Sequence, residues 1–368
     1  HVMFSALWLW GLALLPATAL VLAFWKRNIA WHPRWPAADL LHIGAGIAFA
    51  GVVHPALAVL ALQGAAWWIK AGWLRISGGL QWPLIATYLF LIIQAPLWAI
   101  HGAVALMLTM GVAQTALSLP QSLGHIMFYS RHQADKLKSA GFLGKYVHGT
   151  LGHRTGLSIY LALLIPLAFL ASPPWSLVLA TIYGVGILLT MSSVGAVSGV
   201  VGLLWVNPGL WPYGLALLVL GATVRMVKPQ TPDAQYGHYL KVRSLDHLFA
   251  GRLDIWRATL SRALSWPAWL RGFGPGAFDQ QGRLWNKEYG LKEIYREVHN
   301  DYLEFFYEHG LIGVACVGLF FVSLWPIQMG DPLVGVLLAF SVAMLVNFPC
   351  RVAALGGLAL FCVGVLMR

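Results

Sequence analysis

Long apolar runs constrain the fold of this chain more than any other feature of its sequence. Charged residues make up only 10% of its 368 residues and hydrophobic residues 59%, whereas soluble domains carry about 25% charged residues. Apolar runs must be helical in a bilayer, because their backbone N–H and C=O groups have no water to bind. The sequence therefore predicts an all-α polytopic integral membrane protein of about eleven (10–12) transmembrane helices, some of them short. We expect these helices over 3–24, 37–62, 80–98, 100–119, 156–172, 174–191, 193–206, 210–226, 309–326, 331–348 and 351–367.

Two polar segments separate these runs into three groups of helices. Residues 120–155 form a basic loop, and residues 227–308 form a larger loop that we expect to contain short amphipathic helices. The transmembrane helices then fall in 1–119, 156–226 and 309–368.

Two stretches of the N-terminal group call for an interpretation of their own. The tryptophan-rich residues 63–79 are typical of a piece that lies at the membrane interface. The first run, 3–24, has no basic leader and no small-residue cleavage site, so it is interpreted as a spanning helix rather than a signal peptide.

The positive-inside rule gives an orientation. Lys26, Arg27 and Arg34 follow the first helix, which indicates that this loop is cytoplasmic and that both polar segments lie outside. Segment 120–155 is basic although this orientation places it outside, which is contrary to the positive-inside rule. Either the predicted number of helices is wrong by one, or these cations have a function. They are Arg131, Lys136, Lys138, Lys145 and Arg154.

Charge and cysteine content narrow the classes of partner. A formal net charge of +11 favours membrane lipids, phosphates or acidic glycans as partners. Nucleic acid is excluded, because the basic residues form no stripe with a recognition motif. The three cysteines lie in apolar runs and indicate neither disulfides nor a zinc site.

With the orientation above, Arg154, Ser192, Ser193 and Arg351 gather at the outer mouth of the helices.

Residues 244–264 have the spacing of an amphipathic helix, with Asp254 and Arg257 on its polar side. One interpretation places this helix on the membrane with its arginines among the head groups. The other makes Arg252 a phosphate clamp, because a guanidinium matches phosphate oxygens in a bidentate manner. The two interpretations are compatible.

Three further motifs favour structural roles. GFGPGAF (272–278) predicts a tight glycine turn, since it follows a helix and lacks the spacing of a nucleotide loop. HGTLGHRTG (148–156) brings two histidines together without the carboxylates or cysteines of a metal site. TMSSVGAVSG (190–199) lacks the GxSxG of a serine hydrolase and favours close packing of helices.

The stretch YREVHNDYLEFFYEHGLIG (295–313) carries the strongest candidate for catalysis. A helix over 300–308 would align His299 with Tyr302 on one face, and the apolar span would begin at Leu311. A neutral imidazole is a natural general base for a sugar hydroxyl. Asn300 could orient that imidazole or a substrate hydroxyl.

The order of these motifs resembles the O-antigen ligase and O-antigen polymerase superfamily from about Gly149 onward. The motifs that carry the likeness are GTLGHRTGLSIYLALLIPLAFL, GRLDIWRATL, GFGPGAF, VHNDYLEFFYEHGLIG and NFPCRVAAL. One departure is Ser193-Val194, where many members have Ser-Arg; Arg154 or Arg351 could replace that arginine.

The resemblance implies a glycosyltransferase of the bacterial inner membrane with its active site facing the periplasm. It implies His299 as the catalytic histidine and Arg252 as the essential loop arginine. The donor would be an undecaprenyl-diphosphate-linked glycan and the acceptor the lipid A core, with polymerase or protein O-oligosaccharyltransferase activity as alternatives. No metal or other cofactor is expected. The expected substrate-binding residues are Arg154, Arg257, Asn300, Tyr302, Arg351 and Lys145.

A transporter of polyprenyl-linked glycans is the alternative from a different class of protein. Transporters place ionisable groups within their helices near the membrane midplane. Here the helix interiors are almost free of charged residues, with histidines as the exceptions. This distribution favours chemistry at the membrane surface over translocation.

Overall fold

The computed structural model describes residues 47–48, 50–71, 81–125, 147–151, 153–227, 252–274, 276–278, 298–324 and 328–368. Throughout these residues the chain is helical or irregular, with no β-strand, which confirms the all-α prediction. The predicted span 3–24 and Lys145 lie outside the described residues. So do residues 72–79 of the predicted interfacial piece and most of both predicted loops.

The described α-helices are α1 (Pro55–Ala71), α2 (Gln81–Gln94), α3 (Leu97–Ser122), α4 (Arg154–Leu167), α5 (Trp175–Thr190), α6 (Ser193–Val206), α7 (Trp211–Val227), α8 (Leu253–Ala263), α9 (Ala268–Arg271), α10 (Asp301–Ser323), α11 (Pro332–Met344) and α12 (Ala353–Leu366). Short 3₁₀ turns occupy Ala168–Leu170, Pro208–Leu210 and Pro349–Arg351.

Proline and polar caps set several of these boundaries. Pro55 opens α1, and Pro96 precedes α3, since proline is tolerated at a helix start but lacks the N–H that a helix interior needs. Asp331 caps α11 by accepting a hydrogen bond from the backbone N–H of Leu333 at 2.8 Å. Helix α6 has the bounds that the apolar pattern predicts, 193–206.

One prediction about the N-terminal helices was wrong. A single helix was expected over 37–62, but the helix is interrupted at His54 before Pro55. Residues 63–71, which were expected to form an interfacial piece, continue α1 as helix, and their position at the membrane interface stays a prediction. The tryptophans and lysine of this stretch lower its hydropathy without breaking the helix, because none of them disfavours helical backbone strongly.

The chain forms two compact units. The first comprises the described residues within His1–Gln94, Asp254–Trp325 and Gly364–Arg368. It contains α1, α2, α9, α10 and almost all of α8. Its polar end has a small core in which α8, the glycine turn and the start of α10 meet. The buried members are Ile255, Ala263, Ala277, Phe278, Val298 and Tyr307, with Trp256, Phe273, Leu303 and Phe306 packed against them.

The second unit comprises the described residues within Ala95–Leu253 and Pro326–Val363. Helix α4 is its core: every residue from Gly156 to Leu167 is buried, and α3, α5, α6 and α11 pack around it. A Cβ at Gly195 of α6 would lie 2.6 Å from the carbonyl oxygen of Ser158. The close helix packing predicted for the serine- and glycine-containing motif is therefore confirmed at Gly195.

Two of the described helices, α3 and α10, are long and apolar enough to cross a membrane. Several shorter apolar helices accompany them, among them α5, α6 and α11.

Candidate active site

The start of α10 holds the predicted catalytic histidine. Asn300 caps this helix, because its side-chain oxygen accepts a hydrogen bond from the backbone N–H of Leu303 at 2.9 Å. The helix runs to Gly310, where φ 63° and ψ −165° interrupt it, and then continues as the apolar part. The change from polar to apolar predicted at Leu311 thus coincides with a kink in the backbone.

His299 immediately precedes the cap and has left-handed backbone geometry, with φ +57°. For a residue other than glycine this conformation costs about 1–2 kcal/mol, and such residues often occur at functional sites. His299 is half-buried. The surrounding contacts must therefore hold this turn in place.

Val298, the residue before His299, supplies those contacts through its backbone. Its N–H donates to Oε2 of Glu304 at 3.0 Å, and its C=O accepts a hydrogen bond from Nε1 of Trp256 at 2.8 Å. Val298 itself is completely buried in the small core of the first unit. Both polar groups of its backbone are thus bound by side chains from α8 and α10.

The acidic side chains that precede the span lie inside the protein. Asp301, Glu304 and Glu308 retain only 6%, 5% and 9% of their exposure. Glu308 Oε1 accepts a hydrogen bond from the N–H of Phe278 at 3.4 Å, just as Glu304 accepts one from Val298. Because buried carboxylates need hydrogen-bond donors, these two carboxylates bind the chain segments on either side of residues 279–297 to α10.

The glycine turn packs directly on the kink of α10. The N–H groups of Phe273 and Gly274 donate to the carbonyls of Tyr307 and Glu308, both at 2.9 Å. Gly272, Gly274 and Gly276 all have positive φ, which confirms the predicted glycine turn. The ring of Phe273 stacks on Tyr307 with centroids 4.6 Å apart.

Gln63 of α1 joins the same region. Its Nε2 donates to the carbonyls of Arg271 and His309 at 2.7 and 2.8 Å, and its Oε1 lies 3.1 Å from Nδ1 of His309. The carbonyl of His309 is at the kink, where the helical hydrogen-bond pattern is interrupted. Gln63 therefore satisfies backbone groups that the turn and the kink leave without helical partners.

In the second unit, two glutamines of α3 hold the loop that leads into α4. Oε1 of Gln121 accepts hydrogen bonds from the N–H groups of His148 and Gly149 at 3.1 and 2.9 Å. Oε1 of Gln114 accepts one from the N–H of Thr150 at 3.0 Å. This places His153 and Arg154 at the start of α4.

We expect Gln121→Leu to destabilise the protein by about 1–3 kcal/mol, because two buried N–H groups lose their acceptor. Ser122→Ala, at the neighbouring half-buried residue, should change stability by no more than about 0.5 kcal/mol. The measurement is thermal unfolding of the purified variants in detergent. Equal stability of the two variants would contradict this role of Gln121.

Both histidines of this loop have a pKa below the ordinary value. Partial loss of solvent lowers the pKa of His153, and Arg154, Arg252 and His148 lower it further. Burial likewise lowers the pKa of His148. Both imidazoles are therefore neutral at pH 7, and the positive charge of this cluster is on the two guanidinium groups.

Arg252 also has a structural contact within the second unit. One guanidinium nitrogen donates to the carbonyl of Val346, just beyond α11. A cation is favourable at a helix C-terminus. Since a guanidinium has five N–H donors, this bond is compatible with binding of a phosphate oxygen.

The other predicted site residues are placed as follows. Arg257 and Asp254 on α8 are exposed, at 78% and 66%, with 3.6 Å between guanidinium nitrogen and carboxylate oxygen. Tyr302 is 43% exposed. Arg351 lies in the 3₁₀ turn before α12, but its side chain is outside the description, as is the whole of Lys145.

The sequence does not indicate the residues that hold the candidate site in shape, above all Trp256, Gln63 and Gln121. The helical spacing of residues 244–264 puts Trp256 on the apolar side, whereas in the structure its indole N–H donates to the carbonyl of Val298. A polar amide within an apolar helix is the signal that could have indicated the two glutamines, because such a group requires partners.

Part of the chain matches a known protein family. Residues 151–318 match a family model described as O-antigen ligase. Neither the curated proteins nor the solved structures contain a match. The matched segment includes His299, Arg252, Arg154, Arg257, Asn300 and Tyr302, while Lys145 and Arg351 lie outside it.

Proposed function

We propose that this protein is a membrane glycosyltransferase, which moves a glycan from undecaprenyl diphosphate to an acceptor hydroxyl of the lipid A core. The proposal is supported by the match of residues 151–318 to the O-antigen ligase family, whose members are glycosyltransferase-type enzymes acting on lipid-linked glycans. The observation that carries this proposal is the family match across the His299-Asn300 motif, at the start of a helix apolar enough to span a membrane.

His299 acts as the general base in the proposed reaction. It takes the proton of the acceptor hydroxyl as that oxygen attacks the anomeric carbon of the donor glycan. The bond from the anomeric carbon to the diphosphate oxygen breaks, and undecaprenyl diphosphate leaves with the electron pair. A single displacement of this kind inverts the anomeric configuration.

Arginines stabilise the departing diphosphate. The charge that develops on the leaving oxygen needs cationic donors, and guanidinium groups supply bidentate hydrogen bonds to phosphate. Arg252 has this role together with Arg154, since both lie close enough to His153 to lower its pKa. Arg257, Arg351 and Lys145 are further candidates for the diphosphate or the glycan, and Asn300 and Tyr302 for the acceptor.

The reaction takes place at the periplasmic face of the bacterial inner membrane. This orientation rests on the positive residues that follow the first apolar run and on the family resemblance. About eleven transmembrane helices and one large periplasmic loop over 227–308 complete the proposed topology.

The direct test is transfer by the purified protein in proteoliposomes. Supplied with undecaprenyl-diphosphate glycan and lipid A core, it should form a new glycosidic bond and release undecaprenyl diphosphate, both detectable by mass spectrometry. Joining of two lipid-linked glycans would identify a polymerase, and transfer to a protein hydroxyl an oligosaccharyltransferase. Movement of intact donor across the bilayer without bond formation would contradict the proposal.

We expect transfer to continue in EDTA, because arginines rather than a divalent ion stabilise the leaving group. The measurement is the rate of product formation with and without chelator. Loss of transfer in EDTA, restored by added Mg²⁺ or Mn²⁺, would contradict the metal-free mechanism.

A further inference from the structure

The backbone around His299 is held from both sides. On one side, Val298 is bound at its N–H by Glu304 and at its C=O by Trp256, at 3.0 and 2.8 Å. On the other side, Asn300 is bound to the first turn of α10 through Leu303, at 2.9 Å. The left-handed residue between them thus has little freedom to rotate its peptide planes.

The two groups that bind Val298 are themselves fixed. Glu304 is 95% buried, and Trp256 packs against the small core that contains Val298 and Ile255. A carboxylate from the first turn of α10 and an indole N–H from α8 therefore fix the two peptide groups that flank Val298. The second of these peptide groups joins Val298 to His299.

We propose that Glu304 and Trp256 are positioning residues, which set the direction of the His299 imidazole by fixing the backbone of Val298. This inference rests on the proposed function, in which His299 is the general base. Geometry of this kind matters for catalysis, because a displacement of about 1 Å in a reacting group can lower the rate about 100-fold.

The test compares three variants with the wild-type full-length protein in proteoliposomes. Glu304→Ala removes the acceptor, and we expect kcat to fall about 10- to 100-fold with KM for the donor little changed. Glu304→Gln retains an oxygen that accepts the Val298 N–H, so it should restore most of kcat. Trp256→Phe keeps the aromatic ring without the N–H and should lower kcat less than Glu304→Ala.

Trp266→Phe is the matched control for Trp256→Phe. Trp266 is 75% exposed and is followed by the start of α9. The same chemical change there should leave kcat at the wild-type value. A loss of kcat in Trp266→Phe equal to that in Trp256→Phe would overturn the role of Trp256.

A double variant separates positioning from a general effect on folding. If Glu304 acts through His299, then Glu304→Ala should not lower the residual activity of His299→Ala any further. An additional loss of the full 10- to 100-fold in that background would overturn the inference. It would mean that Glu304 supports the protein independently of the imidazole.

Carbethoxylation of His299 by diethylpyrocarbonate, followed by mass spectrometry, gives a readout that needs no transferase activity. Glu304→Ala should change the modification rate at His299 and leave that at His153 as in wild type, whereas Glu304→Gln should change neither. If the wild type transfers no glycan but this difference is observed, the proposed function fails and the positioning role stands. An unchanged rate at His299 in Glu304→Ala would overturn the positioning role.

Discussion

His299→Ala should lower the rate of glycan transfer by about 10²–10⁴-fold, the contribution typical of a positioned general base. The expected loss is in kcat, because the imidazole acts on the acceptor proton in the transition state and contributes little to binding of the lipid-linked donor. Product formation in proteoliposomes measures it. A variant that retains full transfer would remove His299 from the mechanism.

Loss of activity in His299→Ala could also result from disruption of the left-handed turn at residue 299. A second variant distinguishes this effect from loss of the imidazole. Residue 299 has φ +57°, and alanine adopts this conformation less readily than asparagine. His299→Asn therefore removes the imidazole while it favours the turn. If the imidazole is the base, both variants should lose activity alike. Restored transfer in His299→Asn would indicate that the turn, rather than the imidazole, is what catalysis requires.

The distribution of the buried acids was only partly predictable. Helical spacing puts Asp301, Glu304 and Glu308 on a face different from that of Tyr302, and in the structure these three are buried whereas Tyr302 is exposed. That the face is buried depends on Phe278 and Val298, whose N–H groups donate to the carboxylates of Glu308 and Glu304, respectively. Helical periodicity shows which residues share a face, but it contains no information about which segment covers that face.

Polar contacts between residues far apart in the chain could not be predicted from the sequence for a related reason. Gln63 binds the carbonyl of His309, which is 246 residues away, and helix α1 has no local pattern that specifies this partner. The left-handed turn at His299 was also unpredictable. Glycine in a sequence suggests a positive φ, whereas histidine does not. By contrast, helices such as α6 and turns such as Gly272–Gly276 depend on local hydropathy and local backbone freedom, and the sequence predicts both.

Gly310→Ala should destabilise the protein by more than about 4 kcal/mol, a loss that only a few kinds of substitution produce. At φ +63° and ψ −165° the backbone of Gly310 has a conformation that is essentially restricted to glycine. A Cβ there would lie 2.5 Å from the backbone nitrogen of Gly272 and 2.6 Å from that of Arg271. These are backbone atoms, so no side-chain rotation relieves the contact.

The contact is reciprocal, which gives a second variant and a control on the same helix. A Cβ at Gly272, itself at φ +71°, would lie 2.2 Å from the carbonyl oxygen of Glu308, so Gly272→Ala should be as harmful as Gly310→Ala. Gly318→Ala places its Cβ where nothing lies within 4 Å, and it should stabilise α10 by about 0.5–1 kcal/mol. Yield of monodisperse protein and thermal unfolding in detergent measure all three. Wild-type behaviour of Gly310→Ala and Gly272→Ala would mean that the glycine turn does not pack on the kink of α10, and the backbone that supports His299 would then need another explanation.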